Sequence, residues 1–335
     1  MSMTSQDVLS AARELDGTAI CTPLLSSPHM DSLLGRSVVI KAESLQLSGS
    51  FKLRGAFTAL ARLSPRARRR GVIAASSGNH GHALALAGTH FDTPVTVVVP
   101  HDAPSVKLRA IRELGARVIT YHRRRQHRDA IVDEWAQREQ LTVVPSADSE
   151  AVVAGAGTAA WELLQQAPEL TAILVPVGGG GLAAGTALAA HTHDTRIRVI
   201  GVEPSAADDT CRSLHAGRRV CIAPPVTIAD GLGHIMPAPI PWEINQRLLH
   251  RVVTVSEQDI VRAMALLWRH YSSRAEASGA TAFAGLLACA DRLPPGPVGV
   301  ILSGGNVDWP TYRTLLTSAF DRTEHKPHAP SALLR

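Results

Sequence analysis

The stretch AILVPVGGGGLAAG, residues 172–185, decides how the chain is read. Its first half is continuously apolar and lacks the alternation of a half-exposed strand, so it describes a strand buried on both faces of a parallel sheet. From Leu182 the pattern becomes helical. Between the two stand four consecutive glycines, Gly178 to Gly181. A tight turn needs one or two. Four leave a run of backbone N–H groups free at the positive end of a helix, which is the makings of a phosphate cradle.

Strand-like runs recur at 38–43, 71–77, 94–100, 117–121, 172–177, 198–203, 251–256 and 298–304. Helical patterns lie between most of them, at 51–63, 80–90, 105–114, 128–140, 158–166, 182–191 and 257–272. This rhythm predicts an α/β chain with open, doubly wound sheets. The units from Gly71 to Ala147 are compact enough to form a smaller domain, 71–147, inserted in a larger one made of 1–70 and 148–335. From about Asp321 the chain turns polar and proline-containing, an end expected to fray.

The 335 residues are 45% hydrophobic, 19% charged and 4% aromatic, which suits helix–sheet packing around a core. The net charge of +5 comes partly from two arginine runs, Arg68–Arg70 and Arg123–Arg125. No aromatics interleave with them, so they read as solvated helix ends and loops rather than a nucleic-acid surface. Four cysteines show no metal spacing, and reduced thiols in a cytoplasmic protein are the expectation. The first residues form an amphipathic helix rather than a signal segment. No apolar run reaches the roughly 18–20 residues of a membrane span.

Two further strand ends carry unusual sequences. GVIAASS runs into GNHGHALA, and VGVIL runs into SGGNVD. Ligand sites in open α/β sheets lie at such carboxyl ends. Ser76, Ser77, Asn79 and His80 sit at a strand-to-helix turn that suits a carboxylate, although Ser77 or Asn79 could also cap the helix. Upstream, SGSFKLRGA at 48–56 sets Lys52 among small and apolar residues, where a helix start explains the serines but not the lysine. Gly178-x-Gly180-x-x-Ala183 with Glu203 also fits a loose dinucleotide fingerprint, the mark of a nicotinamide-dependent oxidoreductase. That alternative leaves Lys52 and the other two clusters without a purpose.

GSFKLRGA, SSGNHG, PVGGGGLAAG, GVEPSAADD and ILSGGNVD occur in this order. Together they resemble the fold-type II pyridoxal-phosphate enzymes, in particular the serine racemase and serine/threonine dehydratase group, from about Thr22 to Trp309. The resemblance implies two open doubly wound sheets and pyridoxal 5'-phosphate as cofactor. It implies that Lys52 joins the cofactor aldehyde and that Phe51 lies against the ring. Gly178, Gly179, Gly180, Gly181 and the Leu182 amide would hold the phosphate, Ser303 the pyridine nitrogen and Asn79 the ring hydroxyl. Ser76, Ser77 and the amides of Asn79 and His80 would hold the substrate carboxylate, with Arg128 near the substrate. An apolar setting would keep the Lys52 amine neutral and able to act as a base.

On this resemblance the expected activity is a dehydratase (an ammonia-lyase) that converts a β-hydroxy amino acid to a 2-oxo acid and ammonia. The alternative is an amino-acid racemase of the serine type, with Ser77 as second acid/base opposite Lys52. Racemase-type members also bind a divalent cation, here through Glu203, the Ala207 carbonyl and Asp209, an oxygen set suited to Mg²⁺ or Ca²⁺. A homodimer is implied as well. Three departures fall on the substrate side: AGAGT places Ala156 where a glutamine is usual, PSADSE replaces the common loop, and GLGHIMPAP brings His234 to the wall after Asp230-Gly231. They leave room for a more polar substrate, such as 3-hydroxyaspartate.

Overall fold

A computed structural model describes residues 3–320 except 77, 104, 123 and 124. The expectations for Ser77 and for the chain from Asp321 onward therefore lie outside the described residues. Ten strands are found among those described: β1 (Leu24–Leu25), β2 (Val38–Ala42), β3 (Val72–Ala75), β4 (Val95–Pro100), β5 (Arg117–Tyr121), β6 (Thr142–Val143), β7 (Ala172–Pro176), β8 (Arg198–Pro204), β9 (Arg251–Val255) and β10 (Val298–Leu302). They form a six-stranded sheet, β1-β2-β10-β7-β8-β9, and a four-stranded sheet, β5-β4-β3-β6. Only the β1–β2 pairing is antiparallel among them.

Both sheets are covered on two faces, which is why their strands read as continuous apolar runs. In the larger sheet Ile173, Val175, Val199 and Ile301 share a core with the helices Glu150–Gln166 and Gly181–His193. Their strand neighbours Leu174, Ile200, Val202 and Val300 pack instead with the helices Glu257–Tyr271 and Ala277–Cys289. In the smaller sheet Val72, Ala74, Val97 and Val99 pack with Leu53, Phe57 and Leu60, whereas Ile73 and Val98 face Val132.

The eight longer strands fall where the sequence predicts them. β1 and β6, of two residues each, are too short to leave a periodic signal. The helix expected from Thr158 begins at Glu150, because the small residues Val153 to Gly157 are buried on it. Its crossing with the Gly181–His193 helix is close: a Cβ on Gly157 would stand 2.8 Å from the Gly185 carbonyl oxygen. The helix Ala277–Cys289 was not predicted. It is buried nearly all round and so shows no amphipathic period.

The helix Lys52–Ala61 lies between the two sheets' helical layers and is held by a buried charge network. Arg54 is wholly buried and makes a two-pronged contact with Glu43, Nε to Oε2 at 2.7 Å and Nη2 to Oε1 at 2.9 Å. It makes a second with Glu162, at 2.7 and 2.8 Å. Lys41, buried in β2, also reaches Glu162 at 2.7 Å and the Thr22 carbonyl at 2.8 Å. Burial opposes the Arg54 charge, but the two carboxylates outweigh it and hold its pKa above the ordinary value.

Removing one partner of such a cluster leaves charges buried and unpaired, at a cost of about 3–5 kcal/mol. Arg54→Met is therefore expected to lower the denaturant midpoint sharply. Arg54→Lys, which keeps the charge but loses the fork, should recover only part of it.

Candidate functional site

Lys52 is the first residue of its helix, and Phe51 before it is fixed by backbone pairing with the segment after β10. The Phe51 N–H donates to the Ser303 carbonyl at 3.0 Å, Ser50 bridges Gly304, and the Gly305 N–H donates to the Gly49 carbonyl at 3.0 Å. Two motifs some 250 residues apart are thus zipped together, and Lys52 and Ser303 line one cavity of about 860 Å³. The Lys52 Nζ donates to the Ser146 carbonyl at 2.7 Å and lies 5.0 Å from the Phe51 ring centroid. Burial lowers its pKa to about 8.

Three helices point their N-termini at this cavity. They begin at Lys52, Asn79 and Gly181, after Phe51, Gly78 and Gly180, and none has a side-chain cap. No side chain therefore competes with a ligand at these helix ends, although the Leu53 and Arg54 N–H groups already donate to the Ser50 and Phe51 carbonyls, and the ends favour an anion. Asn79 does not supply the cap that the sequence allowed, and Ser77, the other candidate, lies outside the described residues. Ser76 accepts instead from the Gly78 N–H at 3.2 Å.

The glycine run is a cradle in the literal sense. Gly180 adopts φ +91°, a conformation that favours glycine. A Cβ on Gly179 would stand 2.8 Å from the Ala147 methyl, and one on Gly180 would stand 2.7 Å from the Asn245 amide nitrogen. Side chains there would clash with these neighbours, so the run must stay bare backbone. Leu182 follows, buried, in the first turn of the helix. A phosphate ester fits this donor set, an amine-seeking aldehyde fits Lys52, and the neutral Ser303 hydroxyl stands in the same wall. Pyridoxal phosphate carries the groups that these residues are built to meet.

Asn79 is held on two sides. Its Nδ2 donates to Glu276 at 2.5 Å, and its Oδ1 accepts from Asn306 Nδ2 at 2.8 Å. This leaves one amide N–H toward the cavity. Glu276 is a cavity residue that sequence reading missed; its one signal was an acid just before an Ala- and Gly-rich buried helix. His80 is buried and its Nε2 meets the Val144 carbonyl at 2.9 Å, so that nitrogen carries the proton. Burial, with help from the Lys52 charge, lowers its pKa to about 4. Arg128 begins the helix Arg128–Glu139 at the cavity rim, about half exposed and paired with Asp129 at 3.0 Å. His234 reaches the cavity, as its place after Asp230-Gly231 predicted, whereas Ala156 is buried within its helix.

Glu203, Ala207 and Asp209 lie elsewhere, at the end of β8, and all three are buried. Glu203 accepts from the Thr210 and Cys211 N–H groups at 3.0 and 2.9 Å. Both Asp209 carboxylate oxygens are buried without a hydrogen-bond partner. Burial, then the Asp209 charge, raises Glu203 to about 8, and burial, with a smaller push from Asp208, raises Asp209 to about 7. An orphaned buried carboxylate fits a hard cation, although no cluster of three or more His, Cys, Asp or Glu side chains occurs among the described residues. Among the same residues no helix is long and apolar enough to cross a membrane.

Residues 16–304 match the family model described as pyridoxal-phosphate dependent enzyme. An L-threo-3-hydroxyaspartate ammonia-lyase of Saccharomyces cerevisiae is 38% identical over 95% of this chain and 98% of its own length. The enzyme of the same name from Pseudomonas sp is 40% identical, over 92% and 97%. The crystal structure of the serine racemase from Dictyostelium discoideum superposes with a TM-score of 0.87 at 37% identity, over 92% of this chain and 100% of that one.

The buried amine has a measurable signature. Between pH 8 and the ordinary lysine value of 10.5 the unfolded chain binds the extra proton, so stability rises with pH across that window. In protein free of cofactor, Lys52→Met should be more stable than the parent at pH 7, and the gain should fade as the pH approaches 10.5. Urea unfolding over a pH series reads this directly.

Proposed function

The chain belongs to the pyridoxal-phosphate dependent enzymes, and on that premise we propose that it is an ammonia-lyase that dehydrates a β-hydroxy amino acid, with L-threo-3-hydroxyaspartate as the preferred substrate. The observation that carries the reading is one cavity shared by the Lys52 amine, the glycine cradle, the uncapped turn at Asn79 and the cation at Arg128. The names of the relatives support the choice of substrate.

Pyridoxal phosphate, when bound, supplies an electron sink for the pair left as a Cα–H bond breaks. Gly178 to Gly181 and the Leu182 amide hold the phosphate at a helix N-terminus. Lys52 would hold the aldehyde end of the cofactor, and its lowered pKa keeps a fraction of neutral amine near neutral pH that could accept the Cα proton. Phe51, which lines the cavity beside Lys52, would flank the ring. Ser303 offers the ring nitrogen a neutral hydroxyl rather than a carboxylate, and Asn79 offers its remaining N–H to the ring hydroxyl. Ser76, Ser77 and the N–H groups of Asn79 and His80 bind the substrate α-carboxylate. Arg128, at the rim, faces the distal carboxylate of a dicarboxylic substrate. Loss of the β-hydroxyl as water gives an enamine, which hydrolyses to the 2-oxo acid and ammonia.

Racemisation is the second reading, favoured by the likeness to the serine racemase structure. It requires Ser77 to act on the face opposite Lys52. We extend the proposal to a Mg²⁺ or Ca²⁺ ion held by Glu203, the Ala207 carbonyl and Asp209, and to a homodimer as the assembly.

The purified protein should be yellow, and borohydride should bleach it and fix the cofactor on Lys52. A colourless protein that binds no pyridoxal phosphate would sink the reading. L-threo-3-hydroxyaspartate should be turned over to 2-oxo acid faster than L-serine or L-threonine. Arg128→Leu should lower kcat/KM for the hydroxyaspartate on the order of 10–100-fold and change L-serine little. Ser77→Ala should abolish D-isomer formation while sparing elimination; equal loss of both would remove the second-base role. Mg²⁺ should raise the melting temperature of the parent but not of Asp209→Asn.

A further inference from the structure

Atoms that crowd the mouth of the glycine cradle show which side chains could touch an anion there. A Cβ built on Gly178 would meet the Gly231 carbonyl oxygen at 3.0 Å, His234 Cδ2 at 3.1 Å and Leu232 Cα at 3.1 Å. One built on Gly179 would meet the Ala147 methyl at 2.8 Å, His234 Cε1 at 3.1 Å and His234 Nδ1 at 3.4 Å. The imidazole therefore lies along both glycines. Of these neighbours it is the sole side chain with an N–H to offer, since Ala147 has only a methyl.

The backbone that carries His234 is held in place. The His234 backbone N–H donates to the Leu232 carbonyl at 2.8 Å, which closes the turn after Asp230–Leu232. That turn is tied in its own right, because the Gly231 N–H donates to Ser278 Oγ at 3.0 Å. Yet among the described residues neither ring nitrogen of His234 has a hydrogen-bond partner, and the side chain lines the cavity. A half-buried imidazole with no protein partner among those residues, lining the cavity against the glycine run, keeps its N–H free to meet a ligand there.

We infer that His234 is a sixth element of the phosphate cradle, its imidazole N–H donating to the phosphate ester of the bound cofactor. The inference rests on the cofactor assignment and reaches beyond the backbone donors of Gly178 to Leu182. Burial, followed by the positive charges of Lys52 and Arg128, lowers the His234 pKa to about 4, so at neutral pH the ring carries one proton and serves as a neutral donor. Arg128 and Lys52 remain available for the substrate and the aldehyde, and the anion is held by a group that adds no charge to the cavity.

Comparing pyridoxal phosphate with pyridoxal, which lacks the phosphate, tests this directly. Dissociation constants for both would be measured by the absorbance of the bound cofactor in the parent, His234→Ala and His234→Gln proteins, with thermal melts of the cofactor-free forms to confirm folding. His234→Ala should weaken pyridoxal phosphate on the order of ten-fold, leave pyridoxal within about two-fold, and move the ³¹P resonance of the bound phosphate. His234→Gln, which keeps an N–H, should restore most of the difference. A parallel loss of both affinities, or no change in either, would overturn the role of His234. If the parent binds no pyridoxal phosphate, the cofactor assignment itself falls, an outcome distinct from failure of the histidine alone.

Discussion

Arg54, clasped between Glu43 and Glu162, is the constraint on which the site depends. It lies two residues beyond Lys52 on the same helix and is wholly buried. Its contacts reach back to the segment after β2 and across to the helix Glu150–Gln166. A planar guanidinium can face two carboxylates at once, so the fork sets the rotation of the helix as well as its place. Rotating that helix by one residue, about 100°, would swing Lys52 out of the cavity and separate Arg54 and Glu43, both buried, from their ion-pair partners.

Around that anchor the site is electrostatically one-sided. Three uncapped helix N-termini, a lysine and an arginine at the rim converge on it, and each favours negative charge. The same surroundings act on the titratable groups. Lys52, His80 and His234 are all pushed toward their neutral forms, chiefly by burial. The cavity is thus ready for a ligand with a phosphate at one end and a carboxylate at another, with a lysine amine of lowered pKa between them.

Much of this was legible beforehand, for specific reasons. Four glycines between a buried strand and a helix, a lysine without an apolar purpose, and short polar residues at a second strand end are local signals. Each reports a backbone or chemical need that no packing argument explains. Lys41, Arg54, Glu43 and Glu162 were not legible, because each residue alone looks like an ordinary surface charge and only their burial together tells otherwise. Glu276 was hidden for the same reason: its meaning comes from Asn79, which is 197 positions away in the chain.

By itself the sequence determined the class of fold, through continuous apolar strands alternating with helices, and the chemistry of the cofactor site, through motifs whose order resembles one family. Only the tertiary structure decided which groups meet. The pairing of residues 49–51 with 303–305, the clasp on Arg54 and the place of His234 against Gly178 and Gly179 are contacts between distant parts of the chain. Local periodicity carries the first kind of information because it follows from backbone geometry within a few residues. The second kind exists only once two sheets and their helices have packed and removed the charges from water.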